Sequence, residues 1–171
     1  MSVRYLTQRL LGVLAGVALL ASCEATAPEV SEYFIRYQAN GTAIEYREDL
    51  RLHGVVGMVG TEHALALEGE SSDGAPSESS LNVSVFDVVP ITTRTYAGYQ
   101  TVTGGFTSAG IIYRTDGAEY HSDLADADNR VTVTEIARTH LRGTFSGTLR
   151  FSGRPDVVIT NGEFYVPTHV N

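Results

Sequence analysis

Polar and apolar residues alternate with a period of two along most of the chain from residue 31 onward. The clearest case is the segment 141–151, whose odd positions are leucine, glycine and phenylalanine and whose even positions are arginine, threonine and serine. Successive side chains of a strand point to opposite faces of a sheet, so this pattern predicts a strand with one face on a core. Gly143 and Gly147 on the apolar side indicate close packing or curvature.

Glycine, proline and short polar turns divide the rest of the chain into further segments of the same kind. Asn40-Gly41 and Asp116-Gly117 are typical of hairpin turns, because both residues of each pair tolerate a positive φ angle. We predict that Asn161-Gly162 likewise separates two strands. The other predicted strands cover residues 33–38, 44–46, 50–59, 63–68, 81–89, 93–102, 109–115, 118–122, 130–136, 157–160 and 163–166.

Short strands with frequent turns, and no convincing amphipathic helix after residue 23, indicate an all-β domain. We expect an antiparallel β-sandwich of about nine to eleven strands. A β-barrel is the alternative, since both architectures produce the same alternation. The polar loop at 70–80 is too short to be a domain boundary, so residues 31–171 are predicted to form one domain.

The first 23 residues have the pattern of a bacterial lipoprotein export signal. Arg4 and Arg9 supply positive charge, and residues 10–22 form an uncharged, mostly apolar run. This run is shorter than the roughly 20 residues of a membrane-spanning helix and is typical of a signal peptide. The run ends in LASC at residues 20–23, which matches the lipobox recognised by the bacterial lipoprotein signal peptidase.

The lipobox implies that Cys23 is a lipidation site. Cleavage before Cys23, diacylation of its sulfur and acylation of its amine would hold the mature protein on a membrane. Glu24, by analogy with known sorting rules, favours the outer membrane and leaves its periplasmic and surface faces both open. Residues 24–30 are predicted to be a short tether. Cys23 is the only cysteine, so the fold does not rely on an internal disulfide.

The chain is acidic, with a net charge of −8 from 20 acidic and 12 basic residues. Such a surface repels nucleic acid and anionic lipid headgroups, so no nucleic-acid partner is predicted. All 12 basic residues are arginine. The lack of lysine excludes chemistry that depends on a Schiff-base lysine or a P-loop lysine.

The acidic turn before residue 130 contains candidate calcium ligands. Asp123, Asp126 and Asp128 carry carboxylate oxygens, which calcium prefers. The turn lacks the glycine and the distal glutamate of an EF-hand loop, and acidic residues also act simply as turn formers. We therefore predict no bound metal and retain these three aspartates as candidates.

No catalytic motif stands out in the sequence. The five histidines show no close metal-ligand spacing such as His-x-His or His-Glu-x-x-His. No serine lies in a Gly-x-Ser-x-Gly motif, and Ser146 lies on the polar face of a regular predicted strand. We therefore predict no catalytic residue, no cofactor and no enzymatic activity.

Tyr96 and Tyr99 are candidate ligand-binding residues. They lie near Gly98 and Gly104-Gly105, where they could line a ligand surface. Aromatic residues in strands also form core contacts or cross-strand pairs, and this is the alternative interpretation of both tyrosines.

The C-terminal part of the chain contains three motifs in a familiar order. VTVTEI at residues 131–136 is followed by GTFSGTL at 143–149 and ITNGEFYVP at 159–167. This order resembles that of small bacterial lipoproteins that share an all-β domain of unknown function. The resemblance extends from about residue 91 to residue 167 and implies fold and location. It brings no catalytic residues.

These observations predict a non-enzymatic envelope lipoprotein that binds a protein or glycan partner. A lipid- or small-ligand carrier with a barrel cavity is the alternative, and an apolar void inside the domain would favour it. An enzyme of unrecognised type is the third possibility, and it would need a cleft that gathers histidines and acidic residues from separate strands.

Overall fold

The computed structural model describes residues 32–47, 52–71, 78–122 and 128–170, with backbone alone for residues 169 and 170. The predicted signal segment 1–23, including Cys23, and the tether 24–30 lie outside the described residues. Within the described ranges, no helix is long and apolar enough to cross a membrane.

The described part of the chain consists of twelve β-strands, connected by turns and loops, and contains no helix. The strands are β1 (Phe34–Ala39), β2 (Thr42–Tyr46), β3 (Leu52–Val59), β4 (Glu62–Glu70), β5 (Ser79–Asp87), β6 (Thr95–Ala97), β7 (Gln100–Val102), β8 (Gly105–Thr115), β9 (Ala118–Ser122), β10 (Arg130–Ile136), β11 (His140–Arg150) and β12 (Val157–Val170). The predicted all-β class is therefore confirmed.

Backbone hydrogen bonds join all twelve strands into one mixed sheet. Its order is β2-β1-β12-β3-β4-β5-β8-β9-β11-β10-β6, and β7 pairs with the beginning of β8. Because β12 pairs with β11 as well as with β3, the path from β12 through β3, β4, β5, β8, β9 and β11 returns to β12. The sheet therefore closes around one core, and β1, β2, β6 and β10 extend it at two margins.

Three details differ from the sequence prediction. The predicted strand 93–102 is two short strands, because β6 pairs with β10 whereas β7 pairs with β8. Residues 157–160 and 163–166 belong to the single strand β12. β12 and β3 form a parallel pair, whereas the predicted sheet is antiparallel. β1 pairs with β12 only as far as Tyr165, and β3 pairs with residues 168–170 of β12, running in the same direction as β12.

Large apolar side chains fill the interior of the closed sheet. The odd-numbered residues of β11 from Leu141 to Leu149 are all buried, as the alternation predicts. Burial of each large side chain stabilises the fold by about 2 kcal/mol. The largest fully buried side chains are Tyr96, Phe164, Ile35, Leu52, Leu65, Leu67, Leu81, Ile111, Leu141, Leu149, Ile159 and Val83.

Glycines and phenylalanines pack reciprocally between β11 and β12. Gly143 lies opposite Phe164, and Phe145 lies opposite Gly162. A Cβ on Gly162 would be 2.6 Å from Phe145 Cδ2, and one on Gly143 would be 2.7 Å from Phe164 Cε1, whereas real Cβ atoms keep at least 3.0 Å. Each ring therefore occupies the space beside the glycine of the neighbouring strand. The close packing predicted for Gly143 and Gly147 is confirmed.

β12 contains a β-bulge at Asn161. Asn161 has a φ angle of 52°. Gly162 pairs with Phe145, and Ile159 pairs with Gly147. Between these two pairs, β12 has two residues and β11 has one. The pairing with β1 shifts at the same point. The Asn-Gly pair that was predicted to separate two strands therefore lies within one continuous strand, which it bends.

Candidate ligand-binding groove

A groove runs over the outer side of β1, β12, β11 and β10, opposite their buried face. It consists of two adjoining depressions with volumes of about 500 and 310 Å³, which share Thr144 and Glu163. We call it the outer groove. Its side chains are those of Phe34, Arg36, Arg130, Thr132, Thr134, Arg142, Thr144, Ser146, Asn161 and Glu163, and its floor includes Gly143, Phe145, Gly162 and Phe164.

Strand register arranges the polar side chains of the outer groove in a row. Arg36 lies opposite Glu163, and Glu163 lies opposite Thr144 on β11. Thr132 continues the row on β10 and Thr95 on β6, and the two Oγ1 atoms of these threonines are 2.9 Å apart. Neighbouring strands are about 4.8 Å apart, so the row extends about 19 Å from β1 to β6.

The bulge in β12 shapes the larger of the two depressions. Asn161 is exposed on the groove side, and its Nδ2 donates a hydrogen bond to Gln38 Oε1 at 3.2 Å. Gly162 and Phe145 are also part of the lining, although their side-chain positions face the core. The floor at this point is therefore backbone, which a ligand can approach closely.

An ion pair lies between the two depressions. Arg36 Nε and Nη2 both donate to Glu163 Oε2, at 3.1 and 2.5 Å. The two side chains are 48% and 45% exposed, so water screens the pair and its contribution to stability is below about 1 kcal/mol. The positive charge of Arg36 therefore lies beside the carboxylate of Glu163 at the centre of the groove.

Two further arginines give the outer groove a local excess of positive charge. Arg130 and Arg142 are exposed, and neither forms an ion pair with a carboxylate of the described residues. The guanidinium carbon of Arg142 lies 4.6 Å from the centre of the Tyr165 ring, which restricts its orientation. Both guanidinium groups therefore keep donors that can bind an anionic group in a bidentate manner.

Aromatic side chains stand at the end of the groove near the start of β1. Tyr165 lies 5.1 Å from Tyr33, 6.3 Å from Phe34 and 5.0 Å from His140, measured between ring centres. Desolvation, and then the carboxylate of Glu32, raise the pKa of the Tyr165 hydroxyl. The hydroxyl therefore stays protonated at neutral pH and can donate a hydrogen bond.

The structure separates the two tyrosines that were predicted to bind a ligand. Tyr96 is 2% exposed, and its hydroxyl accepts a hydrogen bond from the Thr92 N–H at 2.9 Å and donates one to the Thr92 carbonyl at 3.1 Å. This side chain belongs to the core. Tyr99 is 51% exposed and stacks on Phe106 with ring centres 5.2 Å apart. Of the two, only Tyr99 is open to a ligand.

The candidate calcium ligands are only partly described. Asp128 is exposed just before β10, whereas Asp123 and Asp126 lie outside the described residues. Among the residues that the structure does describe, no three histidine, cysteine, aspartate or glutamate side chains are placed to hold a metal ion.

A second depression of about 520 Å³ lies at the end of the domain formed by β4, β5, β8 and β9. Arg114, which lines this depression, is bound to Glu119 at 2.5 Å. Beside it, the Tyr46 hydroxyl bonds to Ser79 at 3.0 Å and to the buried Tyr37 hydroxyl at 2.9 Å, and burial raises the pKa of both tyrosines. The outer groove is the stronger candidate, because two of its three arginines, Arg130 and Arg142, form no ion pair with a carboxylate of the described residues.

Sequence reasoning missed the outer groove. The alternation along residues 141–151 predicts a polar face on β11 and does not predict the contact between β11 and β12. A signal was nevertheless present, because GTFSG at 143–147 and NGEF at 161–164 belong to the motifs on which the expected lipoprotein resemblance rests. The structure pairs these two motifs with each other, and together they form the floor and centre of the groove.

The chain matches no protein-family model, and comparison with curated proteins and with solved structures finds no match either.

Proposed function

We propose that this protein is a lipid-anchored envelope protein of the small all-β lipoprotein type, and that it binds a carboxylate-bearing glycan in the outer groove without transforming it. The observation that carries the proposal is the pair of exposed arginines, Arg130 and Arg142, without carboxylate partners among the described residues. In a chain with a net charge of −8, these two groups make the groove locally cationic. A local excess of positive charge attracts an anionic ligand.

The other groups of the groove suit a sugar. Thr132, Thr144 and Ser146 offer hydroxyls, which both donate and accept hydrogen bonds, and Glu163 offers acceptors. Arg130 pairs in register with Ser146, and Ser146 is four residues from Arg142 along β11. The Cα atoms of Arg130 and Arg142 are therefore about 14 Å apart, a span that favours an oligosaccharide with repeated carboxylates over a single small anion.

The packed interior supports binding at the surface over transport inside the domain. Leu65, Leu81 and Leu141 have no exposed area and come from three different strands of the closed circuit. The outer groove opens on the outer face of the sheet, and the depression lined by Arg114 lies at the ends of strands. A carrier would need inward positions that line a void.

The membrane anchor in this proposal rests on the lipobox at residues 20–23. Cys23→Ala should abolish incorporation of radiolabelled fatty acid and release the protein from membranes into the soluble fraction, because the acyl chains supply the anchoring free energy. Continued labelling of the Cys23→Ala protein would overturn this part of the proposal.

Glycan binding is tested by calorimetric titration of the protein with oligogalacturonate, with a neutral oligosaccharide of the same length as the reference. The wild type should bind the acidic oligosaccharide in preference to the neutral one, and raised salt should weaken binding. Arg142→Ala should weaken binding about tenfold, since a hydrogen bond to a charged group is worth about 1.5 kcal/mol or more.

Arg154→Ala is the matched control. Arg154 is exposed and contacts the ring of Phe151 at 5.7 Å, as Arg142 contacts Tyr165, but it lies outside the groove. The control variant should bind as the wild type does. Equal losses in the two variants would indicate a diffuse charge effect, and absence of binding by the wild type would overturn the proposed ligand class.

A further inference from the structure

One end of the closed sheet exposes apolar side chains. We define the apolar rim as Met58, Val59, Val89, Tyr99 and Val102, which are 56%, 59%, 51%, 51% and 37% exposed. They come from the end of β3, the loop after β5, and β7 with the residue just before it. Large apolar side chains of a water-facing surface are usually scattered, so a group at one end marks an interaction surface.

Strand register shows that these residues share one end of the sheet. Met58 pairs with His63, His63 with Asp87, and Asp87 with Thr107 on β8. Thr107 in turn pairs with Gln100 on β7. Each residue of the rim is on this row or within two positions of it along the chain, so the rim follows the row across five strands.

The segments that carry the rim contain few charged residues. Residues 54–61 contain none and residues 88–107 contain only Arg94, whereas Glu62, which is half-buried, pairs with Val59 beside the rim. The guanidinium of Arg94 is bound to the buried carboxylate of Asp87 and lies 4.6 Å from the Tyr96 ring centre, so its charge is compensated within the domain. Acidic side chains at the opposite end include those of Glu70, Glu78, Asp116, Glu119 and Asp156.

The directions of the strands show that β1 begins on the rim side of the domain. β3 ends at Val59 in the rim and runs parallel to β12, and β1 runs antiparallel to β12. β1 therefore leads away from the rim, and its first residue, Phe34, lies at its rim-side end. Only residues 24–31 separate Cys23 from the first described residue, and eight residues extend to about 28 Å at most.

We propose that the apolar rim lies against the lipid bilayer that holds the Cys23 anchor, with Met58, Val59 and Val89 in the acyl-headgroup boundary and Tyr99 at the headgroup level. Exposed aliphatic side chains gain free energy in this zone, tyrosine favours it, and none of the five rim side chains carries a charge that would have to be dehydrated. The acidic end then points away from the headgroups. The inference rests on the lipid anchor of the proposed function and is independent of the glycan ligand.

Tryptophan fluorescence tests the orientation directly, because the chain contains no tryptophan. Val59→Trp places a reporter in the rim. Val158→Trp is the matched control, since Val158 is also an exposed valine, at 42%, and lies near the start of β12, about 40 Å along the strand from its rim-side end. The lipidated full chain is reconstituted in vesicles of phosphatidylethanolamine and phosphatidylglycerol, with and without brominated acyl chains.

The emission of Val59→Trp should shift to shorter wavelength in vesicles and should be quenched by brominated lipid, whereas that of Val158→Trp should do neither. Absence of quenching in Val59→Trp, in protein whose measured mass includes the lipid, would overturn the rim proposal and leave the anchor intact. Absence of the lipid from that mass would overturn the anchor and the rim together. Failure of oligogalacturonate binding would overturn only the glycan proposal.

A second variant separates insertion from a nonspecific effect of tryptophan. Val59→Glu introduces a charge into the rim and should restore solvent-like emission of a reporter at Val89→Trp. Unchanged quenching of Val89→Trp in the presence of Val59→Glu would contradict insertion of the rim. Circular dichroism of each variant in detergent checks that the β-sheet is retained.

Discussion

Two Asn-Gly pairs in this protein have the same sequence and different structures. Asn40-Gly41 reverses the chain between β1 and β2, whereas Asn161-Gly162 lies inside β12. Both asparagines have a left-handed backbone, with φ angles of 48° and 52°. The local preference of asparagine is therefore satisfied in both places, and something other than the dipeptide decides whether the chain turns.

The surroundings of the two glycines differ. Gly41 has a φ angle of 82° and no atom within 4 Å of an added Cβ, so glycine is favoured there by its backbone. Gly162 lies opposite Phe145, whose ring and carbonyl oxygen occupy the place of a Cβ. Glycine is required at 162 by packing between neighbouring strands. Pairing of β12 with both β11 and β1 holds the chain extended where the dipeptide alone would turn it.

The largest expected effect is that of Gly162→Ala. The added methyl group would meet Phe145 Cδ2 at 2.6 Å as well as the Phe145 carbonyl, and backbone cannot move away cheaply. We expect a loss of about 3 kcal/mol in the free energy of unfolding, measured by urea denaturation. Gly57→Ala is the control, because an added Cβ at Gly57 in β3 has nothing within 4 Å. Equal stability of the two variants would contradict the packing argument.

A smaller loss is expected from Asn40→Ala. The Asn40 side chain accepts a hydrogen bond from the Val158 N–H at 2.8 Å and donates one to the Asp156 carbonyl at 3.3 Å, so it fastens the hairpin turn to β12. Its removal, together with the strain of alanine at positive φ, should lower the free energy of unfolding by about 2 kcal/mol. Asn40→Gly removes the side chain without the strain and should lose about half as much. Equal losses would exclude backbone strain at this turn.

Gly41→Ala should cost about 1 kcal/mol, because alanine is strained at a φ angle of 82° although there is room for its methyl group. Gly41→Asn should be close to the wild type, since asparagine tolerates the left-handed region. Thermal unfolding of the two variants measures the difference. A loss in Gly41→Ala as large as that in Gly162→Ala would mean that backbone conformation, and not packing, accounts for both positions.

The fold class could be predicted because period-two alternation depends on local sequence. The limits of β9 and β10, at 118–122 and 130–136, agree with the prediction at both ends. The bulge at Asn161 could not be predicted, since it depends on which strands lie beside β12. The closure of the sheet could not be predicted either. It depends on the pairing of residues 168–170 with β3, which joins segments more than 100 residues apart.

The outer groove was hidden from sequence reasoning by a similar limit. The alternation of β11 identifies Arg142 and Thr144 as outward-facing and gives no indication that Arg130 and Glu163 lie beside them. The prediction that Tyr96 and Tyr99 bind a ligand depends on the glycines near them, and glycines are typical of turns as well as of ligand sites. The register of the strands is needed to distinguish a polar face that only contacts water from one that brings several guanidinium groups together around a groove.

Asn161→Gly should have the smallest effect on stability, and it distinguishes the two Asn-Gly pairs by function. Glycine accepts the φ angle of 52°, and the hydrogen bond that the side chain loses, to Gln38, lies at the surface. We expect less than about 0.5 kcal/mol of change in the free energy of unfolding. Because Asn161 lines the groove, affinity for oligogalacturonate should fall about threefold, as for one neutral hydrogen bond.

Asn40→Gly provides the counterpart, since Asn40 lies outside the groove lining. This variant should lose stability and bind oligogalacturonate as the wild type does, measured by the same titration. Opposite outcomes in the two variants would assign the hairpin pair to stability and the bulge pair to the binding surface. If instead both variants bound as the wild type does, the bulge would serve only to bend β12 over the core, and the ligand would have to lie nearer the aromatic end at Tyr165.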